Sequence, residues 1–145
     1  MVEYRYAKGR IAESVEFISQ EIKEFKEEYA VRTWKDYCDD KKLQKLMDRT
    51  VENILTALIE ISGTVLVEEG IGMDSYSDTL RKCGKFFDFS EQEQDALAKL
   101  GIQRNRLAHR YLNFRWQAIK MFADKMNLVV KITTLILERE ERKSS

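Results

Sequence analysis

Residues 41–70 have the sequence KKLQKLMDRTVENILTALIEISGTVLVEEG, and this segment carries the clearest helical pattern in the chain. Its apolar residues recur every three or four positions, which is the repeat of a helix that buries one face. Gly70 and Gly72 follow the pattern, as glycine often does beyond the end of a helix. The segment predicts a helix over about Lys41–Glu69, whose buried face comprises Leu43, Leu46, Met47, Ile54, Leu55, Leu58, Ile61 and Val65.

The segments on either side of this helix repeat its pattern. Ser90, followed three residues later by Glu93, is typical of a capping box at the start of a helix. The remaining predicted helices cover about Tyr4–Tyr37, Ser77–Lys85, Glu91–Leu112 and Phe114–Arg139. The inward residues of the first and last of these are predicted to be Ile11, Val15, Ile18, Ile22, Phe25, Phe122, Met126, Val129, Ile132 and Ile136.

The composition supports a purely helical fold. The 145 residues include no proline and six glycines, so the chain has few residues that interrupt helices. Four long amphipathic helices with short connections predict an all-α fold, an antiparallel up-down-up-down four-helix bundle with an extra short helix. The length suits one helical domain spanning residues 1–145.

Charge and cysteine content exclude several classes of function. The formal net charge is zero, so a generally basic coat for nucleic acid is excluded and any site for a polyanion must be local. Cys38, Cys83 and the single histidine have no zinc-ligand spacing, and no glycine-rich phosphate loop occurs. We therefore expect neither a metal nor a cofactor. Residues 1–10 do not resemble a signal peptide, and no apolar run approaches the ~20 residues of a membrane span, which favours a cytoplasmic protein with reduced thiols.

One part of the chain is locally basic. No acidic residue lies between Asp95 and Asp124, and this interval contains Lys99, Arg104, Arg106, Arg110, Arg115 and Lys120. Such a patch attracts phosphate. The alternative is that these side chains form a solvated face or pair with carboxylates elsewhere.

The only histidine, His109, lies inside this patch. On a continuous helix Arg104 and Tyr111 would share a face close to the apolar line, while Asn105 and His109 would share the adjoining face. An arginine beside a buried seam is costly without a partner, so the cluster is either a structural network or a functional site. Taken alone, His109 could be structural, and Tyr111 could be an ordinary buried tyrosine.

Arg104, His109 and Tyr111, with Asn105 directly after the arginine, resemble the RX4HXY signature of HepT-like proteins of the HEPN superfamily. The segment Ile54–Gly72 resembles the second helix of that family, and Ser75–Leu80 resembles its short middle helix. The resemblance extends over roughly Tyr29–Leu137. It implies a HEPN-like helical domain.

The resemblance also implies a metal-independent endoribonuclease toxin. His109 would be the acid and base, Arg104 would stabilise the phosphorane, and Asn105 would orient His109 or the phosphate. Arg106 and Arg110 would hold the RNA backbone. With one histidine in the chain, a pair of imidazoles could arise only across a homodimer, as the family habit of a cleft between two protomers implies.

The family further implies a protein partner, an MntA-like nucleotidyltransferase antitoxin that attaches AMP to Tyr111. Added phosphate beside the catalytic residues would place negative charge where RNA phosphate must lie.

Two other functions remain open from the sequence. The chain could be a non-catalytic substrate-binding or accessory subunit of a small nucleotidyltransferase, or a purely structural helical dimer. Phe86, Phe87 and Phe89 are interpreted as packing residues more readily than as stacking platforms for bases. The segment Phe114-Arg115-Trp116 has no family counterpart that explains it.

Overall fold

A computed structural model of the chain describes the backbone of residues 2–144 and the side chains of residues 10–143. These residues form seven α-helices and no strand, which confirms the predicted all-α fold; the up-down-up-down order of a four-helix bundle stays a prediction. The helices are α1 (Val2–Glu24), α2 (Trp34–Asp39), α3 (Lys41–Glu68), α4 (Tyr76–Phe86), α5 (Glu91–Arg106), α6 (Leu112–Asp124) and α7 (Met126–Ser144), and a π-helical turn over Phe25–Tyr29 follows α1.

Helix α3 is the centre of the structure and contacts the six other α-helices. Its predicted inward residues are buried except Leu46, whose side chain is 43% exposed. The helix ends as predicted, because Gly70 takes a positive φ of 71°. The Ile71 amide then donates to the Leu66 carbonyl, and the Gly70 amide donates to Val67.

Helix α3 is also long and apolar enough to cross a membrane, judged by length and composition alone. However, 56% of its most apolar stretch of 18 residues is buried inside the structure, as in the core helix of a bundle.

The prediction of one helix over Tyr4–Tyr37 is wrong in its second half. The predicted stripe Ile11, Val15, Ile18, Ile22 and Phe25 is buried. However, α1 continues into the π-helical turn, and the helix then ends before Thr33. The Thr33 hydroxyl then accepts a hydrogen bond from the Asp36 amide, while the Asp36 carboxylate accepts one from the Thr33 amide. This reciprocal capping box starts α2.

The predicted helices over Glu91–Leu112 and Phe114–Arg139 also differ from the structure. Helix α5 starts at the predicted Ser90–Glu93 capping box but ends at Arg106, and the last predicted helix is divided into α6 and α7 near Lys125. At the end of α5 the amides of Ala108 and His109 bond to carbonyls three residues back, which tightens the turn. The motif residues after Arg106 therefore lie in a turn between two helices.

Helices α4 and α5 are in close contact at Gly101. A Cβ atom at this position would lie 2.8 Å from backbone atoms of Ser77 and Tyr76. Only glycine permits this approach, because backbone atoms cannot move aside as a side chain can. The contact brings the first turn of α4 against the last turns of α5, where the motif begins.

Candidate active site

Arg104 lies on the last turn of α5 and faces α3. Its Nε donates a hydrogen bond to Thr56 Oγ1 at 3.2 Å, and its guanidinium carbon lies 5.9 Å from the centroid of the Tyr76 ring. The side chain is half-buried, as predicted for a position beside the apolar seam. These contacts hold the stem in place while the guanidinium opens on a groove of about 410 Å³ between α1 and α3.

His109 lines a second groove, of about 490 Å³, between α4 and α5. Asn105 and Arg106 line the same groove, as does Tyr76. The predicted proximity of Asn105 and His109 is therefore found, although His109 lies beyond the end of the helix. Because Tyr76 lines this groove and also contacts Arg104, it links Arg104 to the groove of His109.

The imidazole of His109 is exposed but oriented by its neighbours. Its ring centroid lies 4.9 Å from that of Tyr111 and 4.8 Å from that of Phe114. The Tyr111 amide donates to Nδ1 at 3.3 Å. An Nδ1 that accepts an N–H carries no proton, so this hydrogen bond assigns the proton of the neutral ring to Nε2.

The prediction that Tyr111 shares a helix face with Arg104 is wrong, because α5 ends between them. Tyr111 instead has extended backbone and precedes α6, and its side chain is 49% exposed, so it is not a buried tyrosine. The Arg110 guanidinium lies 5.1 Å from the Tyr111 ring centroid and donates to the phenol oxygen at 3.2 Å.

The basic patch is divided in the structure. Arg115 forms a 2.6 Å ion pair with Asp48, so the alternative of internal pairing is correct for this arginine. Among the side chains of residues 10–143, no carboxylate pairs with Arg104, Arg106 or Arg110. These three guanidinium groups are thus available to an anion, but only Arg106 lines the groove of His109, while Arg104 lines the groove between α1 and α3.

The structure also explains the segment Phe114-Arg115-Trp116. Phe114 packs edge-on against His109, and Trp116 packs at 5.8 Å from Trp34 and 5.3 Å from Tyr37. With Arg115 bound to α3, all three side chains attach the start of α6 to the rest of the structure.

Within residues 10–143, no three histidine, cysteine or acidic side chains form a group able to hold a metal ion. The groove of His109 brings together one imidazole, the guanidinium of Arg106 and the amide side chain of Asn105. Such a set can transfer protons and neutralise phosphate without a metal.

Sequence reasoning missed three residues of this site: Thr56, Tyr76 and Phe114. Tyr76 carried a usable signal, since it follows a serine that caps α4. Thr56 and Phe114 lie 48 and 5 positions from the motif residues that they contact, and no local pattern links them. Phe86, Phe87 and Phe89 pack in or against the core, as interpreted from the sequence.

A family profile, described as Ribonuclease HepT-like, matches residues 18–126. The chain therefore belongs to the HepT-like ribonuclease family, within the HEPN class of helical proteins that its fold and motif indicate. No curated protein matches the chain. The family name indicates ribonuclease activity.

Proposed function

We propose that this protein is a HEPN-type toxin that cuts RNA by metal-independent attack of the 2′-hydroxyl group on the adjacent phosphate. The observation that carries the proposal is the groove in which His109 lies beside Asn105 and Arg106. Arg106 lines this groove and has no carboxylate partner among the side chains that the structure describes, so the groove suits a phosphate group.

The reaction needs a base, an acid and positive charge at phosphorus. The base takes the proton of the 2′-hydroxyl, and the 2′-oxygen attacks phosphorus. The bond from phosphorus to the 5′-oxygen breaks, and the acid protonates that oxygen. The products are a 2′,3′-cyclic phosphate and a 5′-hydroxyl. Arg104 would stabilise the phosphorane, while Asn105 orients His109 or the phosphate.

Two imidazoles are required if histidine supplies both proton transfers, and the chain has one. We therefore place the reaction at the interface of a homodimer, where His109 meets His109 of the partner subunit. The imidazole that acts as acid must be an imidazolium with protons on both nitrogens, and the one that acts as base must be neutral with one nitrogen free to accept. Large exposed apolar side chains border both grooves, as an interface would require: Phe17 is 41% exposed, and Tyr76 and Ile102 are each 47% exposed.

A cytoplasmic, MntA-like nucleotidyltransferase antitoxin is the proposed protein partner. The exposed Tyr111 hydroxyl would attack the α-phosphorus of ATP, the bond to the β-phosphate would break, and pyrophosphate would leave. The AMP group would place a negative charge beside Arg106 and Arg110 and compete with RNA phosphate.

The decisive experiment compares the wild type with His109→Ala in growth assays and on labelled RNA in the presence of EDTA. Asn113→Ala is the matched control, since Asn113 is an exposed polar residue in the same segment. We expect the wild type and Asn113→Ala to inhibit growth and leave cyclic phosphate ends, and His109→Ala to do neither. If wild type and His109→Ala both leave RNA intact, the nuclease proposal is wrong and the accessory-subunit function gains support.

The partner proposal has its own test. Co-expression with the nucleotidyltransferase should add the mass of AMP to the wild type but not to Tyr111→Phe. An adduct that persists in Tyr111→Phe would contradict the role of this tyrosine.

A further inference from the structure

A groove of about 700 Å³ runs between α5 and α6, separate from the two grooves of the motif. Ala96, Trp116 and Met121 supply an apolar part of its lining. Lys99, Lys120 and Lys125 line it as well, so ammonium groups accompany the apolar surface along the groove.

The charges of this groove are mostly uncompensated. Among the side chains of residues 10–143, no carboxylate pairs with Lys99, Lys120 or Lys125. Of the two carboxylates that line the groove, Asp95 is already paired with Arg81, which leaves Asp124. In a chain of zero net charge, the groove is therefore locally positive.

Arg106 connects this groove to the candidate active site, because it lines both the α5–α6 groove and the groove of His109. Lys99 lies seven residues before Arg106, so the two side chains share one face of α5. They are separated by a rise of ~10 Å along the helix axis. The positive surface thus leads from His109 back along α5.

We propose that the α5–α6 groove holds the single-stranded RNA that adjoins the cleaved bond. Its lysines would contact phosphates, and its apolar surface would contact sugars and bases, the combination that single strands bind. A duplex would present a broad surface of phosphates and would not place its bases against the floor of a narrow groove. This proposal rests on the proposed ribonuclease function, since the groove would bind the part of the same RNA that extends beyond the site at His109.

Binding is tested on uncleavable RNA, a fluorescent single-stranded oligonucleotide with 2′-O-methyl groups, by anisotropy over a range of salt concentrations. The test variant is Lys99→Ala/Lys120→Ala/Lys125→Ala. The control, Lys23→Ala/Lys26→Ala/Lys42→Ala, removes the same charge from exposed lysines that line none of the three grooves.

Loss of three phosphate contacts should reduce the slope of log affinity against log salt by about 2 and weaken binding by roughly tenfold or more. The control should bind like the wild type. Asp124→Asn should have the opposite effect and tighten binding. A gain in affinity cannot result from misfolding, so this variant gives an independent test. An unchanged slope in the test variant, or an equal loss in the control, would overturn the proposal.

Cleavage assays separate this proposal from the proposed function. If both hold, the test variant raises the KM for long RNA and leaves the cleavage of a dinucleotide unchanged. If the wild type binds RNA through the groove lysines but cuts no RNA, the nuclease proposal is wrong and the proposed RNA-binding groove is supported. If the variant binds and cuts RNA normally but loses a protein partner, the groove holds protein and the RNA proposal is wrong.

Discussion

Arg115 of α6 and Asp48 of α3 form an ion pair of 2.6 Å although they are 67 residues apart. Their side chains are 20% and 13% exposed, so the pair is largely shielded from water. Asp48 also accepts a hydrogen bond of 2.6 Å from the Tyr37 hydroxyl. Burial raises the pKa of the Asp48 carboxyl, while its bonds to Tyr37 and Arg115 act in the opposite direction. The pair ties the start of α6, and with it the turn that carries His109, to the central helix.

Arg115→Ala should destabilise the protein by about 2–4 kcal/mol, because it leaves a largely buried carboxylate without its cation. A double-mutant cycle with Asp48→Ala, measured by urea unfolding, should give a coupling energy of about 1–3 kcal/mol. The matched control is Lys131→Ala, which breaks the more exposed ion pair with Glu93 and should change the free energy of unfolding far less. Additive effects of the two α3–α6 substitutions would show that the pair does not connect these helices.

Gly101→Ala should destabilise the protein by about 1–3 kcal/mol, because the new Cβ would overlap the backbone of Ser77 and Tyr76 and force α4 away from α5. Gly72→Ala is the control, since a Cβ at Gly72 meets nothing within 4 Å. Thermal unfolding and near-UV circular dichroism would measure both effects. Equal stability of the two variants would mean that the helices accommodate a methyl group at their contact.

The structural features that depend on local periodicity could be predicted from the sequence alone. The buried stripes of α1 and α3, the glycine that ends α3 and the capping box of α5 all follow from spacings within one segment. These features need no knowledge of neighbouring helices, which is why they were predictable.

The helix breaks that shape the candidate site were not predictable in the same way. The turn over residues 107–111 contains no glycine, no proline and no positive φ, so it carries none of the usual signals of a helix end. The position of this helix end depends on long-range contacts. Leu107 is buried, and Arg115 forms an ion pair with Asp48 on another helix. The break before Thr33, in contrast, carries a local signal, a threonine followed three residues later by the aspartate of its capping box.

The ion pairs at the end of α3 predict a loss of stability in acid. Burial tends to raise the pKa of Glu68, but its hydrogen bonds to Lys143 and Arg139 outweigh burial and lower the pKa. A carboxyl whose pKa is lower in the folded state stabilises the protein above its unfolded pKa, near 4.5, and this contribution is lost as the pH falls through the folded value.

Urea unfolding at pH 7 and at pH 3.5 should therefore show a smaller acid loss for Glu68→Gln than for the wild type. At pH 7 the variant should be less stable by about 1–3 kcal/mol, and this difference should shrink at pH 3.5. Glu60→Gln is the control, because Glu60 is an exposed residue of the same helix. A difference between wild type and Glu68→Gln that stays constant with pH would contradict the assignment.

Arg104 supplies the most direct test of how the site is positioned. Arg104→Ala should lower kcat for RNA cleavage by roughly 10²–10³, as loss of a group that stabilises developing charge does. Thr56→Val removes the oxygen that accepts from Arg104 Nε and should lower kcat by less, about tenfold, with KM nearly unchanged, because the guanidinium remains but is less well oriented. Thr64→Val is the control, since the Thr64 hydroxyl bonds to the Glu60 carbonyl of its own helix. Thermal unfolding of all three variants separates activity from stability. If Thr56→Val and Thr64→Val have equal kcat values while Arg104→Ala is impaired, the hydrogen bond to Thr56 does not position the arginine.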